Sequence, residues 1–115
     1  MSGEKAAVVI GGSNGIGLAV TKQLIQRGYH VNILDICQPD AVFEHTAYYP
    51  FNMLDLNMAL LEELSKDPKV DMLMITAGIG RVADFEYLHT AEIEKTMIID
   101  AVSAIKVIRV FYDRI

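Results

Sequence analysis

Apolar positions along this chain fall into short runs and helical stripes that take turns. Ala6–Ile10, "AAVVI", is a compact apolar run with β-branched residues, closed by glycine, which predicts a strand buried on both faces. From Ile16 to Arg27 the apolar residues Ile16, Val20, Leu24 and Ile25 recur at helical spacing, and Gly28 supplies the stop. His30–Ile36, "HVNILDI", reads as a second strand ending at Asp35, and "CQPD" breaks it with Pro39. Ala41–His45 leaves room for about a turn of helix, and "YYPFN" reads as a short third strand despite Pro50.

Leu56–Ser65 is helical by pattern, with Leu60, Leu61 and Leu64 on one side, and "KDPK" ends it. Val70–Thr76, "VDMLMIT", is read as a fourth buried strand. Thr90 is placed to cap a last helix from Ala91, along which Ile93, Met97, Ala101, Ile105 and Ile108 repeat. That stripe and the six Met are expected in the core. Strands alternating with helices imply an α/β fold with a parallel sheet and right-handed crossovers. Without repeats or an internal linker, residues 1–115 form a single domain.

Composition changes this picture little and narrows the partners. The chain has 115 residues, 52% apolar and 22% charged, enough for one core and far from the composition of disorder. Its net charge of −5, with Lys and Arg scattered, argues against nucleic acid or an anionic membrane. A lone cysteine, Cys37, no signal-like N-terminus and no run long enough to span a bilayer make the cytoplasm the expected compartment. Asp55, Asp71, Asp84 and Asp100, with His30, His45 and His89, show no metal-ligand spacing, so no metal is expected.

Candidate chemistry sits where the first strand feeds the first helix. "GGSNGIG", Gly11–Gly17, strips side chains from a helix start, whose free N–H groups and dipole suit an anion. Gly11 allows the tight turn, Gly15 the close approach of a diphosphate, and Gly17 tight helix packing; Ser13 and Asn14 add polar donors beside Ile16. The competing reading, a glycine-rich turn without a ligand, loses weight through the strand before it, the helix after it, and Asp35 eighteen positions past Gly17. A carboxylate there suits ribose hydroxyls and repels a 2′-phosphate, favouring NAD over NADP. No Gly-Lys-Ser/Thr ending supports a nucleoside triphosphate loop, and no acidic residue precedes the glycines as a methyl-donor site would have.

The spacing of Gly11, Gly15 and Gly17 resembles the TGxxxGxG loop of the short-chain dehydrogenases/reductases, with Ile10 in place of the Thr. "FNMLD" resembles that family's adenine-contacting segment, with Asn52 for the usual Asp and Met53 beside it. "MITAGIG" resembles its Asn-Asn-Ala-Gly signature, keeping Ala77 and Gly78 but carrying Ile75 and Thr76 for the two Asn. Asp100 stands where the family has a catalytic-site Asn. The resemblance implies a Rossmann-type three-layer αβα fold with sheet order 3-2-1-4, truncated after the fourth strand and following helix. It also implies a homo-oligomer or a complementing C-terminal half, and loss of the bonds by which the Asn pair holds the central strands.

Hydride exchange between a nicotinamide cofactor and an alcohol or ketone is the activity the resemblance implies. It needs a Ser and a Tyr-x-x-x-Lys pair to handle the carbonyl oxygen and its proton. None of Tyr29, Tyr48, Tyr49, Tyr87 and Tyr112 has a Lys four residues on, so no catalytic residue is assigned. The alternatives are a non-catalytic module that binds nucleotide weakly or serves in packing, and a fragment of a larger polypeptide.

Overall fold

The computed structural model describes residues 5–39, 44–76 and 90–112. Four strands, β1 (Lys5–Ile10), β2 (Tyr29–Asp35), β3 (Thr46–Pro50) and β4 (Val70–Ile75), pair in parallel in the order β3-β2-β1-β4. This is the predicted order. β2 and β3 extend the sheet to one side of β1, and β4 returns to the other, so the chain reverses direction across the sheet at the β1/β4 junction. Crevices at the carboxyl ends of such a junction are where open α/β sheets take ligands.

Side chains of β1 alternate between two cores, as the period of two requires. Ala6, Val8 and Ile10 meet Leu61 and Leu64 of α2 (Met58–Ser65), together with Val107 and Phe111 of α4 (Ala104–Phe111). Ala7 and Val9 meet Leu24 of α1 (Gly15–Gln26), with Val31 and Ile33 from β2. Helices therefore cover both faces of the sheet. Each buried Val, Leu, Ile or Phe contributes about 1.5–3 kcal/mol of burial, which fixes register because a one-residue slip would exchange the two cores.

Several element boundaries differ from the sequence pattern. The third strand starts at Thr46 and ends at Pro50, leaving Phe51 and Asn52 beyond it; β3 lies at the sheet edge, which spares Pro50 a ladder bond it has no N–H to make. Residues 41–43 of the expected helical turn lie outside the described residues, while Glu44 and His45 form a turn in which His45 takes a positive φ of 64°. α2 starts after Asn57, whose side chain accepts the Leu60 N–H.

The last helix departs most. α3 (Thr90–Met97) and α4 are joined by a π-helical segment, Ile98–Ser103, and Thr90 lies within the helix rather than before it. The wider turn shifts the helix phase. Ile99, Ser103, Val107 and Phe111 form the buried line, whereas Ile93, Met97, Ile105 and Ile108 of the stripe expected in the core are exposed. Among the methionines Met53 is buried, and Met58, Met74 and Met97 face solvent.

Candidate functional site

Beyond the end of β1 the chain turns at Gly11, whose φ of +89° is costly for any residue with a Cβ. Its N–H donates to the Leu34 carbonyl of β2, so the turn stays tied to the sheet. α1 then starts against this turn: a Cβ on Gly17 would overlap the Gly11 carbonyl and sit 2.6 Å from Thr76 Oγ1. Gly15, with φ +55°, has nothing within 4 Å of where a Cβ would be. Of these two glycines, Gly17 holds the helix close and Gly15 keeps its start bare.

That helix start is unprotected. Asn14 occupies the N-cap position in extended geometry but makes no side-chain capping bond, and no acidic residue lies in the first turn. α2, by contrast, is capped by Asn57. Uncapped N–H groups and the positive end of the helix dipole call for a negatively charged group.

A cavity of about 480 Å³ lies in front of this start. Gly11, Asn14, Gly15, Ile16 and Gly17 form one wall, Leu34, Asp35 and Ile36 the second, and Phe51, Asn52, Met53 and Leu54 the third. Ile10, Thr76, Lys95 and Ile99 complete the lining. The glycine loop, the end of β2 and the "FNMLD" segment, chosen from sequence, are thus brought together around one space. Ala77 and Gly78 lie outside the described residues, and Asp100 falls in the π-helical segment.

Ser13 does not line the cavity. Its N–H donates to Asp35 Oδ2 at 3.1 Å, and its hydroxyl is buried without a partner among the described residues. Asn52 turns its side-chain oxygen onto the Leu54 N–H at 2.8 Å, shaping the turn after β3. Met53 is part of the core, and its carbonyl accepts from the buried Ser103 hydroxyl, which ties the third wall to the π-helical segment.

Asp35 is the acidic group of the cavity. Oδ1 accepts the Ile36 N–H at 2.7 Å and Oδ2 the Ser13 N–H at 3.1 Å. A carboxylate offers about four lone-pair sites, so two have no partner among the described residues. The Thr76 hydroxyl lies 3.0 Å from the Ile10 carbonyl and 3.1 Å from that of Gly11, joining the end of β4 to the loop. Lys95 and Ile99 were not foreseen, because they reach the wall only through the packing of a distant helix. Among the described residues, no three His, Cys, Asp or Glu are grouped to hold a metal, and no helix is long and apolar enough to cross a membrane.

An open parallel sheet with a bare glycine turn at its switch point is an α/β fold of the Rossmann type. The short chain dehydrogenase family model matches residues 5–115, and the chain belongs to that family. It is similar to a short-chain dehydrogenase/reductase of Acremonium egyptiacum, 34% identical over 94 residues, covering 76% of this chain and 31% of that protein. It is also similar to an uncharacterized oxidoreductase of Saccharomyces cerevisiae, 24% identical over 119 residues, covering 96% of this chain and 38% of that one. A solved short-chain dehydrogenase from Leptospira borgpetersenii with bound NAD+ shares the fold, with TM-score 0.85, 18% identity and coverage of 95% of this chain and 45% of that one. The chain spans about a third of the length of these curated relatives.

Proposed function

We propose that this chain forms the NAD-binding part of a short-chain dehydrogenase/reductase that oxidises alcohols or reduces ketones. The observation that carries the reading is one cavity with an uncapped helix start, bare at Gly15 and Gly17, on one wall and, on the next, a carboxylate with two lone-pair sites unpartnered among the described residues. Gly11, Gly15 and Gly17 let the diphosphate reach the helix N–H groups, with Asn14 and Ile16 beside it. These two lone-pair sites of Asp35 suit the vicinal hydroxyls of the adenosine ribose, and a 2′-phosphate there would meet a like charge. Leu34, Ile36 and Met53 offer the adenine an apolar slot, with Asn52 at its rim. Ala77 and Gly78 are assigned to the cofactor by resemblance, and Ser13 acts through Asp35.

When bound, the cofactor would supply a hydride as NADH or accept one as NAD+. The residues of this chain hold the cofactor and set its identity; none is assigned to move the carbonyl proton. NAD bound to the Leptospira relative agrees with this choice. The exposed apolar stripe along α4, with Ile105 66% and Tyr112 71% exposed, suits cover by a second copy or by a complementing half.

Calorimetric titration with NADH and NADPH tests the reading. NADH binds more tightly than NADPH, and Asp35→Ala brings the two affinities together. No binding of either at millimolar concentration, or a preference untouched by Asp35→Ala, contradicts it.

A further inference from the structure

Asp35 is the last residue of β2, and the chain beyond it, Ile36 and Cys37, is exposed. A carboxylate at a strand tip chooses between ribose and 2′-phosphate only if its direction is fixed. The Ser13 and Ile36 amides hold the carboxylate itself. What holds the backbone beneath it is the hydroxyl of Tyr48, 3.1 Å from the Asp35 carbonyl and 3.3 Å from that of Ile36.

Tyr48 stands opposite Ile33 in the ladder between β2 and β3, and its ring packs on the core that contains Ile33. From there the phenol extends along the neighbouring strand to its end. The Asp35 carbonyl also accepts the Phe51 N–H at 2.9 Å, so this peptide is held by both the β3 side chain and the chain that follows β3. A phenylalanine would fill the same packing site. Among the described residues the hydroxyl bonds the carbonyls of Asp35 and Ile36.

We propose that Tyr48 is a positioning residue for cofactor choice: its hydroxyl clamps the carbonyls on either side of Ile36 and so keeps the Asp35 carboxylate turned to the cavity. The proposal rests on the NAD reading above and deepens it. Burial, then the Asp35 carboxylate, then Cys37, raise the Tyr48 phenol above its ordinary value, which keeps the donor proton in place.

The test compares Tyr48→Phe with the wild type, alone and in the Asp35→Ala background, on the full chain. Tyr48→Phe keeps the far-UV circular dichroism, weakens NADH by about fivefold, the worth of one ordinary hydrogen bond, and weakens NADPH less, so the preference narrows. In the Asp35→Ala background it changes neither affinity, since the clamp then has nothing to aim. Without any ligand, hydrogen exchange at the Ser13 amide quickens in Tyr48→Phe while that of Val8 and Val9 stays as in the wild type. An equal loss of NADH affinity in both backgrounds, or unchanged Ser13 exchange, overturns the proposal. A wild type that binds no NADH overturns the cofactor reading and the specificity role with it; quickened Ser13 exchange would then still show that the clamp exists.

Discussion

A single methyl group separates the two tasks of the glycine loop. At Gly17 a Cβ would overlap the Gly11 carbonyl, so Gly17→Ala is expected to cost about 3 kcal/mol or more, read from chemical denaturation. At Gly15 the space is open and only the positive φ resists, so Gly15→Ala costs about 1–2 kcal/mol, yet it puts a side chain where the proposed diphosphate would approach. NADH affinity falls in that variant more than stability does. Thr76→Val keeps the shape but removes the hydroxyl that reaches the Ile10 and Gly11 carbonyls; a loss of about 1 kcal/mol is expected in the same assay. The fold raises the Tyr48 phenol above 10.0, so its contribution is fully present below the ordinary phenol value and is lost as pH rises through the higher folded one. Denaturation midpoints of wild type and Tyr48→Phe should therefore differ at neutral pH and converge in strong alkali.

Among the elements, the last helix gives the clearest contrast between pattern and packing. Its buried line runs through Val107 and Phe111, so Phe111→Ala should cost about 3–5 kcal/mol, whereas Ile93→Ala stays within about 0.5 kcal/mol by equilibrium unfolding. Apolar periodicity does not tell these residues apart, because both lines are mostly apolar, the buried one even carrying Ser103, and the π-helical segment between α3 and α4 shifts the phase without a proline or glycine to announce it. β1, β2, β4 and α1 were legible to within a residue or two, since each is a dense apolar run or stripe closed by glycine or proline. β3 was harder: its five residues are partly exposed at the sheet edge, so burial marks it weakly. In the site, Gly11, Gly15, Gly17 and Asp35 were readable from spacing. Spacing does not mark Tyr48, Thr76 and Lys95, because their places depend on which strand or helix comes to lie beside the loop.

At the scale of the whole molecule, the two faces of the sheet are unequally covered. The α2 and α4 side is closed over a large core, while on the α1 side Met72 and Met74 of β4 border a groove with Ile16, Val20 and Leu24. β4 is an edge, and the stripe of α4 is exposed as well. Surfaces of this kind are an association hazard unless they are covered. Sedimentation velocity is expected to show assemblies of more than one chain, and Ile105→Glu, which charges an exposed position without touching the core, should shift them toward single chains. The central claim, that the bare start of α1 receives a diphosphate while Asp35 takes the adjoining ribose, is tested most directly by titrating NADH into wild type and Gly15→Trp side by side. The account predicts saturable binding to the wild type and none to a Gly15→Trp variant with the same circular dichroism. Equal affinity in the two, or no binding to the wild type at millimolar NADH, would contradict it.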